Sequence, residues 1–66
     1  MKKDKVRHKL LKERKRRGLT QKDVAEYIGV ARTTYCEIEN GNLNPRTATA
    51  IKISEFFGIR VNDINN

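Results

Sequence analysis

Sulfur, imidazole and apolar bulk are scarce in this chain. Tryptophan is absent, and cysteine, histidine, proline and methionine occur once each in 66 residues. A lone Cys36 cannot close an internal disulfide, so nothing points to an oxidising compartment. His8 and Cys36 stand in different segments and supply no metal site. No apolar run is long enough to span a bilayer, and the N-terminus is a charge run with no apolar stretch behind it. The expectation is therefore a cytoplasmic chain with no signal peptide and no membrane partner. Glycine-rich phosphate loops, paired carboxylates and nucleophile–base pairs all lack candidates, so neither enzymatic activity nor a cofactor or small-molecule ligand is expected.

Acidic residues are also few, and the imbalance is local. Lys and Arg number 15 against 8 Asp and Glu, a net charge of +7. Residues 1–17 hold ten Lys/Arg against Asp4 and Glu13, a local +8, and residues 18–66 hold five against six acids, a local −1. Such a block suits a polyanion, because each neutralised phosphate releases condensed counterions. It equally suits a solvated helix face. Charge alone does not choose between them.

A chain this short buries only about 60% of its unfolded surface, so one small domain over residues 1–66 is expected. Its punctuation is helical. Asp4 is expected to cap a first helix over about residues 5–16, with Val6, Leu10 and Leu11 as its apolar stripe and Gly18 beyond its end. Thr20 followed by Asp23 reads as a capping box with aspartate in place of the usual Glu or Gln. Val24, Ala25 and Ile28 then give a second helix ending at Gly29. A third spans about residues 31–39 and stops at Asn40-Gly41. Pro45 marks the start of a fourth, whose face is Ala50, Ile51, Ile53, Ser54 and Phe57 up to Gly58. Ile59, Val61 and Ile64 suffice for a last short turn. Four to five short helices result, with no strand alternation and no internal repeat.

The second and third helices carry a specific spacing. With Gln21 counted first, Ala25 is fifth and Gly29 ninth, and apolar Val24, Ile28, Val30, Tyr35 and Ile38 are fourth, eighth, tenth, fifteenth and eighteenth. The small Ala25 lets the next helix cross closely. Gly29 can take the positive φ that a sharp interhelical turn needs. The apolar positions pin the two helices at a fixed angle over about residues 20–39.

With RRGLTQKDVAEYIGV, EIENG, the Asn44-Pro45 pair and FFGI in that order, Leu10 to Ile59 resembles the Xre-type helix-turn-helix family of Cro and lambda-type repressors. The resemblance implies an all-α, lambda-repressor-like bundle whose helices 2 and 3 form the helix-turn-helix. It further implies a bacterial or phage regulator of transcription, most simply a repressor, binding double-stranded DNA with helix 3 in the major groove. On this mapping Arg32, Thr33 and Glu37 face the bases. Their chemistry agrees: Arg32 donates two hydrogen bonds to guanine, Glu37 accepts from cytosine N4, and the Thr33 methyl meets a thymine methyl. Cys36 shares that face and reads more readily as a small filler there than as a redox sensor. Gln21, Lys22, Thr34, Asn40, Asn42 and Arg46 map to the phosphates, joined by Lys15 and Arg17 of the basic block. Arg14 and Glu39 match an ion pair tying helix 1 to the end of helix 3. A homodimer on a palindromic operator follows, with Phe56, Ile59, Val61 and Ile64 either forming its surface or flooring a small core.

Three positions depart from the family pattern. Ala31 stands where a capping serine or threonine is usual, Tyr35 where a smaller branched residue is usual, and Glu13 where an apolar one is common. Two other functions fit the same fold: an antitoxin that binds a protein partner and its own promoter, and an interaction domain without DNA binding.

Overall fold

In a computed structural model, which describes residues 5–64, the chain forms five helices: α1 (His8–Arg16), α2 (Gln21–Ile28), α3 (Arg32–Glu39), α4 (Thr47–Phe57) and α5 (Val61–Ile64). No strand occurs among the described residues. The core is built from one stripe of each helix: Leu10 from α1, Val24, Ala25 and Ile28 from α2, Tyr35 and Ile38 from α3, Ala50, Ile53 and Phe57 from α4, and Ile64 from α5. Leu19, Val30, Phe56 and Ile59 close its edges. Helix α2 packs more extensively on α3 than any other pair of helices pack together.

The α2 start follows its capping chemistry. Thr20 Oγ1 accepts from the Asp23 N–H at 3.0 Å, and Asp23 Oδ2 accepts from the Thr20 N–H at 2.9 Å. The Thr20 backbone bond, with its side-chain bond, holds the exposed Asp23 carboxyl below its ordinary pKa. At the other end Gly29 adopts φ 83°, and both its own N–H and that of Val30 return to the Ala25 carbonyl. That left-handed step swings α3 across α2 over the small Ala25 side chain.

Two expectations about the elements are corrected. The first helix does not begin near residue 5 but at His8, with Arg7 at its N-cap and no side-chain cap. Residues 5–7 are drawn away from helical geometry because the Arg7 N–H donates to the Glu39 carbonyl at 2.8 Å, at the end of α3. Asp4, the expected cap, lies outside the described residues. On α4 the expected face includes Ile51, which is 43% exposed, and Ser54, which is half-buried. Ser54 instead turns its hydroxyl to the Ile51 carbonyl at 2.8 Å.

The four residues expected as a dimer surface or a core floor divide between the two. Ile64 is only 1% exposed, because α5 folds it back into the core, so it is removed from any dimer surface. Phe56 and Ile59 are partly buried against that core, and Val61 alone is openly exposed. Phe56 is roofed by Tyr27, with ring centroids 4.4 Å apart.

Candidate nucleic-acid interface

Helix α3 has two chemically distinct sides. Tyr35, Ile38 and Glu39 are buried toward the rest of the fold, whereas Arg32, Thr33 and Glu37 are exposed on the outer side. The spacing of these residues at 3.6 per turn requires the division. Cys36 is half-buried at the flank, where its Sγ accepts from Asn40 Nδ2 at 3.4 Å. Thr34, also half-buried, faces the other way into a cleft with Leu43 and Pro45 of the following loop. Ala31 sits at the N-cap without a side-chain bond, as a methyl must.

The inner side of α3 is held by charge as well as packing. Arg14 clasps Glu39 through two bonds of 2.9 Å, Nε to Oε1 and Nη2 to Oε2, and its Nη1 donates to the Leu19 carbonyl at 2.9 Å. The side chains are 12% and 2% exposed, so the pair is largely desolvated. Gln21 joins by donating Nε2 to Glu39 Oε2 at 3.3 Å. Burial pushes the Glu39 carboxyl up, but the Arg14 guanidinium, aided by Tyr35 and Gln21, outweighs it and holds the group below the ordinary carboxylate range. The fork–fork geometry fixes the rotation of α3 about its axis relative to α1.

Tyr35, larger than its position usually holds, is fully buried. Its hydroxyl finds no partner of good hydrogen-bond geometry among the described residues. It nevertheless lies close to Glu39: burial first, and then that carboxylate, raise the phenol's pKa. A buried hydroxyl that only approaches its acceptor costs desolvation without a full return. Tyr35→Phe removes this desolvation cost together with the hydroxyl's aid to Glu39, so the net stability change is expected to stay within about 1 kcal/mol. A larger loss in urea unfolding of the variant would show that the hydroxyl does bond Glu39 in solution.

Apart from half-buried Thr34, the residues mapped to phosphates fall into two groups. Lys15, Lys22, Asn40, Asn42 and Arg46 are exposed, Asn40 and Asn42 in the loop after α3 and Arg46 at the N-cap of α4. Gln21 and Arg17 are already engaged within the fold. Gln21 shares one amide N–H with Glu39, and the second remains for another acceptor. Arg17 departs from its expected place: its guanidinium donates to the Phe56 and Phe57 carbonyls at 3.2 and 3.0 Å and lies 5.4 Å from the Phe57 ring centroid. A cation at the carbonyl end of α4 is well placed for the helix dipole.

One residue of this region is concealed in the sequence. Arg7, one of ten basic residues in the first 17, is only 6% exposed. Its Nη1 donates to the Ile38 carbonyl at 2.6 Å and the Leu43 carbonyl at 3.2 Å, and its Nη2 to Asn44 Oδ1 at 2.7 Å. The readable signal lay in α3 itself. Its last turn carries Glu37 and Glu39 but no basic residue, so the negative helix end requires a cation from elsewhere.

The family model described as "Helix-turn-helix" matches residues 10–64, nearly all of this architecture. The chain belongs to the helix-turn-helix family. Within it, an uncharacterized HTH-type transcriptional regulator of Methanocaldococcus jannaschii is 41% identical over 59 residues, 89% of each chain. The HTH-type regulator YgzD of Bacillus subtilis is 32% identical over 59 residues, again 89% of each. The cryptic phage CTXphi transcriptional repressor of Vibrio cholerae is 35% identical over 48 residues, 73% of this chain and 43% of the repressor. No solved structure gives a significant match. These helix-turn-helix relatives are transcriptional regulators, a non-enzymatic role. Among the described residues no helix is long and apolar enough to cross a membrane.

Proposed function

We propose that this helix-turn-helix chain is a sequence-specific, double-stranded-DNA-binding repressor of transcription that lays α3 in the major groove. The observation that carries this reading is the sidedness of α3. Its outer residues present both a bidentate donor (Arg32) and an acceptor (Glu37), with Thr33 between them, while its inner residues are locked by core packing and the Arg14–Glu39 clasp. A reading surface needs both properties, since base discrimination is lost if the helix can rotate. Cys36 completes the base-facing side. Lys15, Lys22, Thr34, Asn40, Asn42, Arg46 and the second N–H of Gln21 serve the phosphates, with Arg17 left to its structural role. A domain this small contacts few base pairs, so it acts as a homodimer on a palindromic operator with half-sites about 34–36 Å apart.

Selection from a random duplex pool tests binding, symmetry and spacing together. Arg32→Ala and Glu37→Ala are each expected to cost about 1–3 kcal/mol of base discrimination on the selected duplex, with the fold intact. Lys15→Ala should weaken all duplexes alike and flatten the salt dependence. Unchanged affinity and base preference in Arg32→Ala would sink the assignment of α3. One chain per saturated site in sedimentation would sink the dimer.

A further inference from the structure

The loop after α3 carries three residues placed at the phosphates, Asn40, Asn42 and Arg46, yet it has little internal reason to keep one shape. Residues 40–46 contain two asparagines and a glycine before Asn44-Pro45, and Asn40, Asn42, Leu43, Asn44 and Arg46 are all exposed. Such a loop pays an ordering cost when it binds unless the free protein already holds it. Its first turn is tied locally, by the Gly41 N–H to the Ile38 carbonyl and by the Asn42 and Leu43 N–H groups to the Glu37 carbonyl. Its last residue, Arg46, is fixed as the N-cap of α4, and residues 43 and 44 between are held from a distance, by Arg7.

We infer that Arg7 is a positioning residue for DNA binding, a buried clamp that fixes the loop of residues 40–46 to the end of the recognition helix. One guanidinium reaches both sides of the turn. Nη1 takes the Ile38 carbonyl inside α3 and the Leu43 carbonyl in the loop, and Nη2 takes the Asn44 side chain one residue farther on. The Arg7 N–H occupies the Glu39 carbonyl as well. The flat, multiply donating guanidinium suits this bridging, which a single ammonium would not reproduce. Gly41 lets the strap lie close: a Cβ there would overlap the Lys5 carbonyl carbon and oxygen. The N-terminal segment, the end of α3 and the loop thus form one ordered unit. Arg46 follows Asn44 by two residues and is anchored as the N-cap of α4, where its carbonyl accepts the Ala50 N–H at 2.8 Å, so releasing Asn44 loosens the approach to that cation and leaves its anchor in place.

This inference rests on the proposed DNA binding, and its test separates the two. Arg7→Met keeps the apolar stem and removes the bonds, and Asn44→Ala removes one acceptor at an exposed site where folding is not at risk. In the free protein, exchange of the Asn42 and Leu43 amides, which donate to the Glu37 carbonyl, should speed by about tenfold or more in Arg7→Met and less in Asn44→Ala, with α2 and α4 core amides unchanged. On the duplex selected by the unaltered chain, Arg7→Met should lose phosphate-ethylation interference opposite the loop and keep it opposite the α2 start. The slope of log affinity on log salt should flatten by less than about 0.9, the full share of the single cation Arg46, which stays anchored on α4. Arg7→Lys, which restores the charge but not the bridge, should recover only part of the interference. Unchanged loop exchange and an unchanged interference pattern would overturn the clamp. A uniform loss at every phosphate, with core amides equally exposed in both variants, would also overturn it by making Arg7 a general stability residue. If the unaltered chain selects no duplex, the DNA reading fails, and loop exchange in the free protein still decides whether Arg7 holds the loop.

Discussion

Replacing Arg14 by leucine is expected to cost about 3–5 kcal/mol of unfolding free energy at neutral pH. A domain of 66 residues has only about 3–10 kcal/mol in total, so the variant should be at the edge of folding. The loss comes less from the attraction removed than from the carboxylate left behind. Glu39 is 2% exposed and would keep only Gln21 and the nearby Tyr35 hydroxyl. Its pH dependence should also reverse in sign. In the unaltered protein Arg14 holds the Glu39 pKa below its unfolded value. That stabilisation is complete above the unfolded value of about 4.3 and is lost as pH falls through the lower folded value. Without Arg14, burial outweighs the remaining Gln21 and Tyr35 contacts and the folded pKa rises above the unfolded one. The folded state then binds the proton first, so this group's contribution improves as pH falls toward about 4.3. Urea titrations of both proteins at pH 7 and pH 5 should therefore show a narrower gap at the lower pH. Parallel profiles would mean that Arg14 is not what keeps Glu39 ionised.

The helix boundaries that depend on local chemistry were legible from residues alone. The reciprocal bonds of Thr20 and Asp23, the left-handed Gly29 and the sidedness of α3 all follow from neighbours within four positions. The start of α1 was not legible, because the partner that draws Arg7 out of helical geometry is Glu39, at the end of a different helix. Ile51 shows a related failure. Hydropathy ranks it with Ile53, but the two lie two residues apart on α4, which turns them to different sides, and Ile53 is the one buried.

Basic side chains were the least legible part of the candidate site, since the positions of Lys and Arg along a chain do not say which are desolvated. Of the cations in residues 5–17, Arg7 and Arg14 serve the end of α3 and Arg17 the end of α4, while Lys15 remains exposed. Arg14 is drawn by the Glu39 carboxylate, whereas for Arg7 and Arg17 the common cause is the helix end. Neither α3 nor α4 carries a basic residue in its last turn, so carbonyls at both ends draw guanidinium groups from the N-terminal segment. Part of the charge that reads as attraction for a polyanion is thus committed to the architecture.

Gly41→Ala is expected to be the most damaging of the glycine substitutions, at about 2–5 kcal/mol. Two separate costs meet there. Gly41 has φ 84°, and a side chain in that left-handed region costs about 1–2 kcal/mol on its own. The new Cβ would also strike the Lys5 backbone, which must move, at a cost of about 1–3 kcal/mol for overpacking. Gly18 supplies the control: its φ is 69°, but a methyl there would meet nothing within 4 Å, so Gly18→Ala should show the conformational cost alone. The difference between the two variants in thermal or urea unfolding measures how firmly residues 5–7 are docked. Moving Lys5 also moves Arg7, so Gly41→Ala should loosen the loop amides in the manner of Arg7→Met, although it touches none of the guanidinium's acceptors directly. Equal costs at Gly41 and Gly18, with a quiet loop, would mean that the N-terminal strap does not lie against the end of α3 in solution. In that case the rotation of α3 would rest on the Arg14–Glu39 clasp and core packing alone.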